Sequence, residues 1–323
     1  MHIIFDLYGT LYQPGLNLMS IVKKISDVLD LDYPDEAHVY GLLNYDMDEY
    51  LEALYPEVED RSELKRLFTI YEKEHAHGGD IVPGMKEVLL KLKEQGHYLS
   101  ICSTGPEAFI DTVLAENNIT ECFDSTLSAR VFLDKGEAIK TVLKPDQDAL
   151  IVGDTITDFM AAIKNHIPSI GVNHGFGSQD DFSAATFRAK NPEDILVLVK
   201  KIEAYSQILK NLTKRKEHDT ILFSGRRGPN KSSLIFDLAR YLKSLGLKTE
   251  IVRSQRAKDF QLESKGTNPY FQRTESNLFA LASVQLYFAQ LSKVLACLTE
   301  EGHEAITGKI ESDASLIYLI DLD

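Results

Sequence analysis

Apolar residues fall along this chain in two alternating patterns. One is the short β-branched run of a buried strand, the other the 3.6-residue period of a helix. Residues 3–5, Ile-Ile-Phe, form the first run and predict a strand that delivers Asp6 to its carboxyl end. Gly9 then permits a turn and Thr10 follows with a hydroxyl. Ile21, Val22, Ile25, Val28 and Leu29 recur at helical spacing, and residues 17–77 read as a helical insertion. Within it, the acidic, tyrosine-rich stretch 48–55 belongs to helix. Tyr45, Tyr50 and Tyr55 are expected to pack helices together rather than to choose a substrate. Pro83-Gly84 marks the return. Val88, Leu89, Leu90 and Leu92 predict a helix face that Gly96 terminates. Strands are expected at 98–102, 149–152 and 169–172, and helices at 106–116, 157–164 and 191–208, the last with Ile195, Leu196, Leu198, Val199 and Ile202 on its apolar side. Strands alternating with helices predict an α/β fold with a parallel, doubly wound sheet.

The pattern breaks at the polar stretch 214–219 and then restarts, which places a domain boundary there. The expected division is 1–213, with a helical cap over about 15–80, and 219–323. The second part reads as a smaller α/β unit: strand 221–223, a glycine-containing loop 224–232, helix 233–245, strand 249–252, a long apolar helix 274–298, and strands at 303–307 and 315–322.

A length of 323 residues suits two domains. A net charge of −14 argues against nucleic acid or an anionic membrane as the main partner. Cys102, Cys122 and Cys297 are too far apart for metal-ligand spacing, and an odd count gives no disulfide framework. Cys102 reads as a small buried hydrophobe. A strand beginning at residue 2 or 3 leaves no room for a signal peptide, and no apolar run approaches bilayer-spanning length, so a reducing, cytoplasmic setting is expected.

A carboxylate at the carboxyl end of a central strand is a candidate nucleophile or metal ligand, since ligands of open α/β sheets bind in that crevice. The same Asp6 could simply close an Asp-containing turn, and the stretch alone leaves both readings open. It is accompanied, however, by Ser103-Thr104-Gly105-Pro106 after an apolar segment, by Lys135 in Leu133-Asp134-Lys135-Gly136, and by Gly153-Asp154-Thr155-Ile156-Thr157-Asp158 after another. With Asp6-Leu7-Tyr8-Gly9-Thr10, these four segments resemble, in order, the motifs of the haloacid dehalogenase-like hydrolase superfamily, in its phosphoglycolate phosphatase-like branch with a helical cap. The resemblance covers residues 1–203. It implies a phosphomonoesterase in which Asp6 attacks phosphorus to form an aspartyl-phosphate. It also implies magnesium on Asp6, the Tyr8 carbonyl and Asp154, with Asp158 in support. Ser103 and Lys135 would grip the phosphoryl group, with Thr10, Thr104 and Gly105 around it, and the partner would be a small phosphorylated substrate. Structural alternatives are that Ser103 caps a helix and that Lys135 is a surface lysine.

Tyr8 departs from the phosphatase pattern, which has a second Asp there to protonate the leaving group. A phenol can donate a proton but is a poor base at neutral pH, so good leaving groups, such as acyl or aryl phosphates, are expected to react best. Asp-x-Tyr-Gly-Thr is also the form of the haloacid dehalogenases, which need neither the acid nor metal. That rival ranks lower, because the Gly153-Asp154 segment has the metal-binding form and the insertion offers only Arg61 and Arg66 as halide ligands.

Residues 225–232, with Gly225, Gly228, Asn230, Lys231 and Ser232, resemble a Walker A loop in which Asn230 replaces the last glycine. The wider segment resembles an incomplete thymidylate kinase-like P-loop domain. Its acidic-Arg pair is replaced by Gly308-Lys309, and no arginine follows Arg273. Phosphoryl transfer depends on such charges, so the resemblance implies a degenerate module. Nucleotide binding and a structural or homodimerising role both stay open, as does a non-catalytic regulatory role for the whole chain.

Overall fold

The computed structural model describes residues 1–13, 17–42, 47–74, 79–212, 219–224, 229–253, 272–275, 285–290 and 316–322. Contacts divide the chain into two compact units, Met1–Leu198 and Val199–Asp323.

In the first unit, β1 (His2–Phe5) and β2 (Tyr12–Gln13) precede four helices: α1 (Asn17–Leu29), α2 (Glu36–Gly41), α3 (Met47–Leu54) and α4 (Ser62–Glu74). Then follow β3 (Asp80–Ile81), α5 (Met85–Glu94), β4 (Tyr98–Ser103), α6 (Glu107–Glu116), β5 (Ser125–Ser128), α7 (Lys135–Val142), β6 (Ala149–Gly153), α8 (Ile156–Lys164), β7 (Ser169–Val172), β8 (Phe187–Ala189) and α9 (Asp194–Leu212). Six strands form one parallel sheet in the order β5-β4-β1-β6-β7-β8. Strand β1 lies in its interior, with Ile4 paired to both Ser100 of β4 and Ile151 of β6. Helices cover both faces of such a sheet, which is why its strands are continuous apolar runs rather than alternating ones. All four residues of β1 and all five of β6 are buried. The chain leaves β1 toward β4 on one side and returns through β6 on the other. This reversal makes the carboxyl edge of β1 the topological switch point.

The helical insertion is real and has its own core. Strands β2 and β3 pair antiparallel, Gln13 opposite Asp80, and form the stem through which the cap leaves and re-enters the sheet domain. Ile21, Val22 and Ile25 of α1 are buried in the cap core with Tyr50, Tyr55 and Phe68. Tyr50 meets Phe68 edge-on at 5.7 Å. The Tyr55 hydroxyl lies 3.0 Å from Ser26 Oγ and donates to the Val22 carbonyl at 3.2 Å. These two tyrosines pack, as expected; Tyr45 lies outside the described residues. The helical stripes are narrower than the sequence reading. Val28 is 55% exposed and Leu90 46%, because neither lies on the inward arc that its buried neighbours define. Gly96 adopts φ +80° just after α5, as a helix-terminating glycine does. Among the described residues, no helix is long and apolar enough to cross a membrane.

In the second unit, β9 (Asp219–Ser224), α10 (Pro229–Ser244), β10 (Lys248–Arg253), β11 (Gln272–Glu275), β12 (Gln285–Gln290) and β13 (Leu316–Leu322) give a five-stranded mixed sheet in the order β10-β13-β9-β12-β11. Three expectations change here. The unit begins within α9 rather than at 214–219, because Lys201 of α9 pairs with Asp237 of α10 at 2.7 Å and Tyr205 packs on Tyr241. Residues 285–290 are a strand, not part of a helix over 274–298. Leu286, Tyr287 and Phe288 are good strand formers, and antiparallel pairing with β9 overrides the helical reading. Helix α10 begins at Pro229, whose fixed φ suits the first helical position. Asn230, Lys231 and Ser232 therefore have helical backbone rather than forming a loop. Gly225 and Gly228, Cys297, and the strand expected at 303–307 lie outside the described residues.

Candidate active site

Parallel strands aim their carboxyl ends at one edge, and this sheet places an acidic or hydroxyl residue after each central strand. Asp6 follows β1, Ser103 ends β4 and Asp154 follows β6. Asp158 sits in the first turn of α8, where Thr155 and Asp158 make a capping box. Asp134 caps α7 through the Glu137 amide at 3.0 Å, and this fixes Lys135 as the first residue of that helix.

These elements bring Asp6, Lys135, Asp154 and Asp158 together. The Lys135 ammonium donates to Asp6 Oδ1 at 2.5 Å and to Asp158 Oδ1 at 2.6 Å. Its side chain is 3% exposed, so it is no surface lysine. The second oxygen of Asp158 accepts the Asp154 amide at 3.2 Å, and the Thr155 amide and hydroxyl, each at 3.1 Å. Asp154 is held on both sides: Thr10 Oγ1 donates to Oδ1 at 3.0 Å and the Phe176 amide to Oδ2 at 2.7 Å. Gly9, at φ +75°, turns the first loop back against this carboxylate. A Cβ there would lie 2.3 Å from Asp154 Oδ2.

Three buried carboxylates cluster here, and two of them, Asp6 and Asp158, share one ammonium. Burial pushes the Asp6 carboxyl up to about 7, with Asp158 adding to the shift and Lys135 opposing it. Burial, then Asp6 and Asp158, hold Asp154 well above the usual carboxylate range. Burial also disfavours the Lys135 charge, but Asp158 and Asp6 outweigh it and keep the ammonium charged. Oxygens of Asp6, Asp154 and Asp158 all lie within 4.8 Å of one another. A buried set of hard oxygen donors carrying excess negative charge fits a hard divalent cation such as magnesium.

Ser103 does not cap α6, whose first flanking residue is Pro106. Its hydroxyl instead accepts the Gly105 amide at 3.1 Å, shaping the loop beside Asp6. Gly105 is buried and Thr104 exposed on that loop. Ser128 ties the loop to the end of β5 by donating to the Gly105 carbonyl at 2.7 Å.

Tyr8 sits between this loop and the cap. Its ring stacks on Phe109 at 5.0 Å, and its hydroxyl donates to Glu72 Oε1 of α4 at 3.2 Å. Burial, then the Glu72 carboxylate, push the phenol well above its ordinary pKa. Burial raises the Glu72 carboxyl too, against the pull of Arg130 and Tyr8. Arg61 and Arg66, the two candidate halide ligands, face carboxylates of the cap itself: Arg61 lies 3.9 Å from Glu52, and Arg66 makes a two-pronged pair with Glu63.

Sequence reading missed Glu72, Phe109, Arg130 and Phe176. Only Phe176 had a local signal, the glycine-flanked segment Gly175-Phe176-Gly177 after β7. A Cβ on either glycine would collide with Asp154, at 2.3 Å for Gly175 and 1.8 Å for Gly177.

Comparison with known proteins agrees with this layout. Over 200 residues the chain is 26% identical to a 5'-nucleotidase of Pseudomonas aeruginosa, a match covering 57% of this chain and 87% of that protein. Over 208 residues it is 27% identical to a phosphoglycolate phosphatase of Agrobacterium fabrum, covering 57% and 89%. Its fold resembles that of a haloacid dehalogenase-like family hydrolase from Streptococcus pneumoniae, with a TM-score of 0.56 at 22% identity, over 61% of this chain and 97% of that one. Residues 3–172 match the model of the haloacid dehalogenase-like hydrolases, from the strand carrying Asp6 to the end of β7, and the chain belongs to that family.

Proposed function

We propose that the first unit is a magnesium-dependent phosphatase that hydrolyses small phosphate monoesters through an aspartyl-phosphate on Asp6. The observation that carries this reading is the buried cluster of Asp6, Lys135, Asp154 and Asp158 at the switch point of the sheet. The relatives named for nucleotide and phosphoglycolate hydrolysis support the substrate class. Asp6, the Tyr8 carbonyl, Asp154 and Asp158 would hold magnesium, which supplies positive charge toward the substrate phosphate when bound.

Asp6 attacks phosphorus as the bond to the ester oxygen breaks, and water then cleaves the acyl phosphate to release inorganic phosphate. Lys135 keeps one Asp6 oxygen oriented and balances part of the charge of the pentacoordinate state. Ser103, Thr104 and Gly105 would form the cradle for the phosphoryl oxygens, with Thr10, whose hydroxyl donates to Asp154, completing it. Tyr8 stays protonated and already donates to Glu72, so it cannot serve as the water-activating base. Losing a positioned acid–base costs on the order of a hundredfold or more, and esters with good leaving groups are therefore turned over fastest.

The dehalogenase reading keeps Tyr8 in its favour but loses Arg66, which is paired with Glu63, while Arg61 lies 3.9 Å from Glu52 of the cap. The test is hydrolysis of a phosphoester panel with and without magnesium, comparing wild type with Asp6→Asn. Magnesium-dependent turnover that disappears in the variant supports the reading. Absence of turnover on every phosphate overturns it and directs attention to halide release from 2-haloacids.

A further inference from the structure

Asp154 is set in place by a chain of donors that begins outside the carboxylate cluster. Thr10 is fully buried, and its Oγ1 donates to one oxygen of Asp154 at 3.0 Å. Thr10 is fixed in turn by His174, the second residue after β7. The Nε2 of this half-buried histidine lies 2.9 Å from the Thr10 carbonyl. A carbonyl only accepts, so Nε2 carries the proton and the bond runs from the imidazole to the backbone of Thr10. Two residues further on, the Phe176 amide donates to the other oxygen of Asp154 at 2.7 Å.

Residues 174–176 therefore hold Asp154 twice, once directly through Phe176 and once through Thr10. The two segments that grip it also lock to each other. A Cβ on Gly9 would come within 2.7 Å of the Phe176 ring, and the Gln13 side-chain amide donates to the His174 carbonyl at 3.3 Å. No step at Asp6 uses the imidazole of His174, yet that ring closes the circuit from Thr10 to Asp154 and back through Phe176. A carboxylate held in this way meets a cation without first losing rotamer freedom. Resting on the phosphatase reading above, we propose that His174 is a positioning residue for magnesium. By donating to the Thr10 carbonyl it orients the Thr10 hydroxyl, which presents Asp154 to the ion. Removing an outer partner of this kind typically costs about 10–100-fold in metal affinity.

Calorimetric titration of magnesium chloride into wild type and His174→Ala tests this without turnover. The alanine variant is expected to bind magnesium about 10–100-fold more weakly. Its unfolding midpoint in EDTA should fall by only a few degrees, as the loss of one half-buried hydrogen bond implies. His174→Gln, whose side-chain amide can donate to the same carbonyl, is expected to recover most of the affinity. In a Thr10→Val background there is no hydroxyl to orient, so adding His174→Ala should change the affinity by less than about twofold. The proposal is overturned if His174→Ala binds magnesium within about twofold of wild type, or if His174→Gln is as weak as His174→Ala. It is overturned too if the alanine substitution costs the same factor with and without the Thr10 hydroxyl. An alanine variant that does not fold also overturns it, because His174 then supports the fold rather than the ion. A wild-type chain that binds no magnesium sinks the magnesium reading along with the proposal. Wild-type binding that His174→Ala leaves intact sinks the proposal alone.

Discussion

Replacing Lys135 by methionine isolates the electrostatic tension at the centre of the site. Methionine keeps the length of the side chain and removes the ammonium that bridges Asp6 at 2.5 Å and Asp158 at 2.6 Å. The buried Asp6 and Asp158 carboxylates then lose that cation, with Asp154 close by. Removing one partner of a buried pair typically costs about 3–5 kcal/mol. For a unit of this size each kcal/mol lowers the unfolding midpoint by about 2–4 °C, so thermal unfolding at about pH 8 should occur roughly 6–20 °C below wild type. The pH dependence has a definite sign. The Asp6 and Asp154 carboxyls hold protons more tightly folded than unfolded, Asp6 at about 7 against 3.8 even with Lys135 present. Their stability contribution is therefore lost as pH rises from about 4 through that folded value. The deficit of Lys135→Met should shrink at about pH 5, where the Asp6 carboxyl is protonated. It should shrink too when magnesium is added at high pH, because a cation bound only by the folded state stabilises it. If the variant unfolds within about 1 kcal/mol of wild type at about pH 8, the buried-pair argument is wrong.

Gly9→Ala places a Cβ 2.3 Å from Asp154 Oδ2 on a backbone at φ +75°. It should cost about 1–3 kcal/mol and displace Asp154, and unchanged melting together with unchanged turnover would show that the loop tolerates a side chain there. His2, buried between Ser100 at 2.7 Å and the Tyr98 ring, is held down to about 4 by burial and by Lys144. Its contribution is complete above 6.5 and is lost as pH falls from there toward 4. Titrating stability through that window should give a shallower slope for His2→Gln than for wild type, and parallel slopes would refute the assignment.

The residues gathered at the switch point were legible because each stands at a strand end or helix start. The pattern that marks the element also marks the residue: Ile3 to Phe5 point to Asp6, and the apolar run 149–152 points to Asp154. The partners of those residues were not legible. Tyr8 and Glu72 are 64 positions apart, and nothing periodic along the chain links them. Phe176 acts through its backbone amide, which every residue but proline possesses. Short or half-exposed elements also escaped the pattern. Strand β5 has no fully buried residue, and β8 has three residues with an exposed centre. At Gln285–Gln290 the local pattern was read as helix, and the strand is set by a partner more than sixty residues earlier in the chain.

The central place of β1 has a consequence for the order of assembly during synthesis. This strand is made before its neighbours β4 and β6, which follow about a hundred and a hundred and fifty residues later, and ribosomes add about 5–20 residues per second. For roughly 5–20 s the run Ile3-Ile4-Phe5 exists without either flanking strand. Both edges of that strand and its apolar faces are unprotected for that time, the condition under which nascent chains aggregate. Asp6, at the end of this run, therefore acquires its full surroundings only after β6 arrives.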